Sequence, residues 1–156
     1  MVDCGGKWGI TMFIGEYHHN IDDKNRLIIP SKYRNELGEK VIVTRGLDNC
    51  LFVYPISRWN EIASKLNELP FTKSDARRFN RFFLSGAVEA EFDKQGRINI
   101  AAPLVEFSKL NKECVIIGVS DRLEIWSQDE YVKFFAEHGD DMSDIAENLF
   151  EGNVNF

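Results

Sequence analysis

One pattern is written twice in this chain, and any fold the chain adopts must hold two versions of the same local structure. The first copy runs Ile21-Asp22-Asp23-Lys24-Asn25-Arg26-Leu27-Ile28-Ile29-Pro30. The second runs Phe92-Asp93-Lys94-Gln95-Gly96-Arg97-Ile98-Asn99-Ile100-Ala101-Ala102-Pro103. Each has an apolar residue, an Asp, three further residues, an Arg and a strand-like run closed by Pro. Asp22 and Asp93 stand 71 positions apart, as do Arg26 and Arg97. Immediately before the Arg comes Asn25 in one copy and Gly96 in the other, the residue types that most readily take a left-handed backbone conformation. A turn with that need, between extended segments, reads as a hairpin.

The repeat extends past the turn. Val41-Ile42-Val43 corresponds to Val115-Ile116-Ile117, Leu51 to Tyr54 corresponds to Leu123 to Trp126, and Trp59 corresponds to Tyr131. Two copies are too few for a solenoid, which needs at least three to bury a continuous core. An intramolecular pseudo-dimer fits better, of mixed α+β class. Strands are expected over 13–21, 26–29, 41–44, 51–54, 87–92, 97–100, 115–119 and 123–126, with turns between them. A helical turn over 30–38 ends at Gly38, and a second follows Pro103 at 104–110. Ser57 reads as the cap of a helix over 58–69, on which Trp59, Ile62, Ala63, Leu66 and Leu69 share a face. Thr72, with Asp75 three residues on, reads as the start of another helix ending at Gly86. A last helix covers 128–136. Beyond it an acidic, mostly exposed tail is expected, with a short amphipathic helix through Ile145, Leu149 and Phe150 as the alternative.

Charge qualifies what the chain can bind. The net charge of −6 is unlike that of a typical DNA-binding protein. Yet residues 137–156 contain six acidic residues and no Lys or Arg, so residues 1–136 are balanced at 19 of each sign. Local positive charge at the repeated turns therefore matters more than the total. Three cysteines, Cys4, Cys50 and Cys114, are odd in number and far apart, which suits reduced thiols in a cytosolic protein. His18 and His19 are adjacent, would face opposite sides of a strand, and have no paired Cys or His, so no metal site is expected. No Gly-rich phosphate loop or nucleophile elbow is present, and no cofactor or small-molecule substrate is expected. The opening residues lack a secretory pattern and no run is long enough to span a membrane.

The turns remain as the candidate site. Lys24, Arg26, Lys94 and Arg97 put cations on them, and ribbon tips of this kind enter a DNA groove or clamp its phosphates. The plainer reading is that Asp22 and Asp93 accept hydrogen bonds from their own turns and pair with Arg26 and Arg97. Both can hold at once. On the helix before the second repeat, Phe79, Phe82 and Phe83 form an apolar stripe that suits either a subunit contact or the chain's own core. Arg77, Arg78 and Arg81 point elsewhere on that helix.

The paired Asp-x-x-x-Arg turns, Arg45-Gly46-Leu47-Asp48 after the first, and the segment Asp75-Ala76-Arg77-Arg78-Phe79 through Arg81-Phe82-Phe83-Leu84-Ser85-Gly86 closely resemble the MraZ family of bacterial transcriptional regulators. The resemblance covers about residues 12–135. It implies two AbrB-like swapped-hairpin modules forming a small barrel with packed helices. The modules would span 13–69 and 87–136, joined by a helix at 70–86. Residues 1–12 would be a disordered extension, and 137–156 the acidic tail. It implies DNA binding by the loops of Asp22/Arg26 and Asp93/Arg97; with the residue reading, Lys24, Arg26, Lys94 and Arg97 are the expected DNA contacts, and Asp22, Asn25, Asp93 and Gly96 the residues that order the loops. It further implies a ring-shaped homo-oligomer on tandem promoter repeats of the protein's own division and cell-wall gene cluster, in the cytoplasm at the nucleoid. Two departures stand out: Asn25 occupies a position where the family usually has Gly, and Ile14 one where many relatives have Arg. The competing function is an oligomeric protein-interaction scaffold or antitoxin-like module that binds no operator.

Overall fold

The computed structural model describes residues 12–150; the expected disordered extension, apart from Met12, and Cys4 lie outside the described residues. In chain order the elements are β1 (Glu16–Asn20), β2 (Arg26–Ile28), α1 (Ser31–Leu37), β3 (Lys40–Arg45), β4 (Leu51–Pro55), α2 (Ile56–Asn67) and α3 (Ser74–Ser85). The second half repeats the plan with β5 (Val88–Glu91), β6 (Arg97–Asn99), α4 (Ala102–Ser108), β7 (Glu113–Val119), β8 (Arg122–Ser127) and α5 (Gln128–His138). A short 3₁₀ turn over Gly139–Asp141 leads to α6 (Met142–Leu149).

The two arms of each repeated turn do not pair with each other, which corrects the local hairpin reading. β1 runs antiparallel to β7 of the second copy, and β5 runs antiparallel to β3 of the first. The result is a six-stranded sheet in the order β1-β7-β8-β4-β3-β5, with the hairpins β3-β4 and β7-β8 meeting along β4 and β8. The remaining arms, β2 and β6, pair with one another as a separate antiparallel ribbon, with Leu27 opposite Ile98. The order is symmetric about the β4–β8 junction, so each copy gives its first strand to the other. This is the exchanged-arm arrangement of a swapped hairpin, built within one chain.

Period-two alternation divides the sheet's residues between two cores. Val41, Val43, Leu51, Val53, Cys114, Ile116, Leu123 and Ile125 join one cluster, where they meet Leu27, Ile29, Ile98 and Ile100 of the ribbon segments and Tyr33, Leu37 and Leu104 of α1 and α4. Phe52, Tyr54, Val115 and Trp126 join the other, with Trp59, Ile62 and Leu66 of α2, Phe79, Phe82 and Phe83 of α3, and Tyr131 and Phe134 of α5. Cys50 and Cys114 are buried free thiols, and burial pushes the Cys114 thiol up to about 11, so neither is a poised nucleophile.

Three boundaries differ from the sequence reading. α2 begins at Ile56, directly after Pro55, with no side-chain cap from Ser57. Pro55 carries the extended backbone that precedes a helix, and its missing N–H costs nothing there. α3 begins at Ser74 with Lys73 at the cap position and no side-chain cap, so Thr72 does not open it. The acidic tail forms α6, the alternative in the sequence reading, although Ile145 and Leu149 of that helix remain exposed.

Leu27 is fully buried at the ribbon centre while its neighbour Ile28 is 39% exposed. Leu27→Ala should therefore cost about 2–5 kcal/mol and Ile28→Ala less than about 1 kcal/mol. Urea-unfolding midpoints of the two variants check this contrast.

Candidate nucleic-acid interface

The two turns have the same internal wiring. In the first, Asp22 N–H donates to the Arg26 carbonyl (3.0 Å) and Asn25 N–H donates to the Asp22 carbonyl (3.0 Å). In the second, Asp93 N–H donates to the Arg97 carbonyl (2.9 Å) and Gly96 N–H to the Asp93 carbonyl (3.0 Å). The carboxylates complete each turn. Asp22 Oδ1 accepts the backbone N–H groups of Lys24 (3.0 Å) and Arg26 (2.8 Å), and its Oδ2 accepts Arg26 Nε (2.7 Å). Asp93 Oδ1 accepts from the N–H groups of Gln95 and Arg97 (both 2.9 Å), and its Oδ2 accepts Arg97 Nε (2.8 Å). The Asp-x-x-x-Arg spacing is what this wiring needs: the carboxylate must reach the N–H groups two and four residues ahead, then the side chain of the fourth.

Backbone conformation explains the residue before each Arg. Asn25 has φ 61° and Gly96 φ 78°, both left-handed, where Asn is tolerated and Gly is unstrained. Gly96 has a second reason to lack a side chain. A Cβ built there would lie 2.5 Å from Arg34 Cζ, because Arg34 of α1 lies over the turn while its Nε donates to the Ile29 carbonyl (2.9 Å). Arg34 is a cation of the site that the sequence reading missed. Its signal was faint: Val105 stands at the equivalent position in the second copy, so the repeat comparison offered no match.

The ribbon brings the turns together. Ile29 N–H donates to the Gly96 carbonyl (3.0 Å) and Ile100 N–H to the Asn25 carbonyl (2.7 Å), so each turn is tied to the strand that follows the other. Asn99 Nδ2 donates to the Lys24 carbonyl (2.9 Å), and Arg97 Nη1 reaches Asp22 Oδ2 at 3.8 Å. Asp22 thus faces two guanidiniums, and Arg26 and Arg97 are only 32% and 22% exposed at their side chains. Lys24 and Lys94 are exposed and form no ion pair among the described residues. The surface offered outward is therefore the lysines, the exposed Asp23 and the outer edges of the guanidiniums, on a frame held by Asp22 and Asp93.

The carboxyls of Asp22 and Asp93 both lie below the ordinary Asp range. The backbone N–H of the following Arg is the largest cause in each, with its guanidinium and a second backbone N–H adding to it against partial desolvation.

The aromatic stripe of α3 lies against the chain's own core. Phe83 is 3% exposed and packs its ring on Phe79 (5.3 Å between centroids), Trp59 (5.6 Å) and Phe52 (6.4 Å). Phe82 meets Phe107 at 5.7 Å and lies beneath the Arg45 guanidinium at 5.5 Å. Phe83 has no surface left for a neighbouring chain, and only the half-buried Phe79 and Phe82 keep any. Among the described residues no group of three or more His, Cys, Asp or Glu side chains could hold a metal ion, and no helix is long and apolar enough to cross a membrane.

A family model described as "MraZ protein, putative antitoxin-like" matches this chain twice, over residues 12–82 and 83–153. The chain belongs to the MraZ family. A protein of Lactobacillus gasseri named "Transcriptional regulator MraZ" is 56% identical over 138 residues, covering 88% of this chain and 96% of its own length. A protein of the same name from Moorella thermoacetica is 52% identical over 143 residues, covering 92% of this chain and its full length. The two matches of the MraZ model fall one on each half of the chain, and each half contains one turn of the pair.

Two outcomes test the turn geometry. Gly96→Ala must place a methyl group on Arg34 at a left-handed φ and should cost more than about 1 kcal/mol, whereas Asn25→Gly relieves a left-handed side chain and should change stability by less than about 1 kcal/mol. Thermal unfolding of both variants decides this. The lowered carboxyls contribute stability that is fully present above their unfolded pKa and is lost as pH falls through the still lower folded pKa. In an NMR titration, the Asp22 and Asp93 carboxyls should therefore titrate below the free Asp value of about 3.9.

Proposed function

We propose that this chain is a DNA-binding transcriptional regulator that meets double-stranded DNA with its paired turns. The observation that carries the reading is the ribbon, which joins on one frame two turns that each bear a Lys and an Arg, and leaves Lys24 and Lys94 outward. The family's relatives named as transcriptional regulators support it. Asp22, Asn25, Asp93 and Gly96 hold the turns; Lys24, Arg26, Lys94 and Arg97 contact phosphate and base edges. The DNA steps require no cofactor and no catalysis.

Four cations per chain bind DNA weakly at physiological salt. A useful operator affinity then requires several chains on one DNA, where a second contact forms at high effective concentration. A homo-oligomeric ring on tandem promoter repeats meets that need, and the promoter of the protein's own division and cell-wall gene cluster is the natural target of an autoregulator. The protein would then work in the cytoplasm at the nucleoid. The exposed Val132 and Phe135 of α5, at 58% and 49%, offer an apolar surface for chain-to-chain contact.

The test is a mobility shift on the DNA upstream of the protein's own gene, repeated across salt. The wild-type protein should retard the fragment with an affinity that falls as salt rises, and the Lys24→Ala/Lys94→Ala double variant should lose most of that binding with an unchanged melting temperature. If the wild-type protein retards no promoter fragment at low salt, DNA binding is wrong and the protein-interaction reading replaces it.

A further inference from the structure

We infer that the two turns are unequal DNA contacts, and that the second turn, residues 93–97 with Arg34 laid over it, carries the greater share. This rests on the DNA-binding reading above and assigns the labour within that site.

The wiring of the turns is nearly identical, so the difference lies in what the shared frame presents. The first turn holds Asp22 and Asp23 against Lys24 and Arg26, two charges of each sign. The second holds Asp93 alone against Lys94 and Arg97, because Lys94 stands at the position of Asp23 and the neutral Gln95 at that of Lys24. Asp23 is exposed and has no ion pair among the described residues, so its charge faces whatever approaches the first turn. An unneutralised carboxylate beside a phosphate is repulsive and offsets the attraction of Lys24 next to it.

Long-range structure widens the gap. α1 places the Arg34 guanidinium on the second turn, against Gly96, whereas α4 has Val105 at the matching position for the first. Against this, Arg97 reaches Asp22 of the first copy as well as its own Asp93, which lends part of one cation of the second turn to the first. The acid at the foot of the second turn, Glu91, is met by Lys40 at 3.6 Å, a cation it shares with Glu89 at 3.7 Å, so its charge is partly offset. The balance leaves the first turn neutral and the second cationic. Each half of the chain is then not an equivalent reader: one turn anchors, and the other follows it onto the backbone.

The experiment compares four single variants with the wild-type protein on a labelled fragment from upstream of its own gene, measuring the slope of log affinity against log salt. Lys94→Ala should lower that slope by about one per chain engaged, the loss of one phosphate contact, and Lys24→Ala by less than half as much. Asp23→Gln should strengthen binding, a gain that no unfolding can mimic, and Gln95→Asp should weaken it. Equal losses for the two lysine variants, or a larger loss for Lys24→Ala, overturn the inference while leaving DNA binding intact, as does an Asp23→Gln variant that binds no better. A wild-type protein that binds no DNA sinks the underlying reading instead.

Discussion

Everything in this molecule hangs on one carboxylate geometry used twice. Asp22 and Asp93 each gather two backbone N–H groups and the Nε of the fourth residue ahead, which forces the chain to reverse within five residues. A turn held by its own side chain does not need its arms to pair with each other. The arms are therefore free to leave for different partners, β1 and β5 to the far ends of the six-stranded sheet and β2 and β6 to a ribbon of their own. From that exchange follow the interlocked halves, the core beneath the ribbon and the closeness of the two turns.

The exchange also explains why part of the fold is written plainly in the sequence and part is not. Strand alternation such as Leu51-Phe52-Val53-Tyr54 assigns each side chain to one of two faces, and the two cores separate along that line. The left-handed residues Asn25 and Gly96 are legible for the same local reason. Strand pairing is not local. The turn chemistry of residues 21–26 is the same whether β2 returns to β1 or leaves for β6, so a hairpin reading is the natural error and only the pairing registers correct it. Helix starts misled in a related way: Ser57 and Thr72 look like caps, but Pro55 and the turn before Ser74 set the entry of α2 and α3.

The candidate site shows the same division. Its cations stand in the repeated motif and are found by inspection. Which of them remain available depends on side-chain partners: Arg26 and Arg97 are largely occupied by carboxylates, while Lys24 and Lys94 are not. Arg34 lies outside the motif and reaches the second turn only through the packing of α1, a contact made by residues 62 positions apart. The Phe79, Phe82 and Phe83 stripe marks the opposite limit, since an apolar helix face announces that it will be covered without saying by what. Here the chain's own Phe52, Trp59 and Phe107 meet it.

Under the proposed function, stability and DNA contact share one small element, with Asp22 and Asp93 holding its frame and Lys24 and Lys94 exposed on it. The most direct measurement of that claim is an NMR titration of the labelled protein with duplex DNA from upstream of its gene. Amide shifts confined to residues 22–26 and 93–97 and to the α1 residues around Arg34, with α2 and α3 unmoved, are what this account predicts. Shifts centred on α2, α3 or α5 with both turns silent would contradict it.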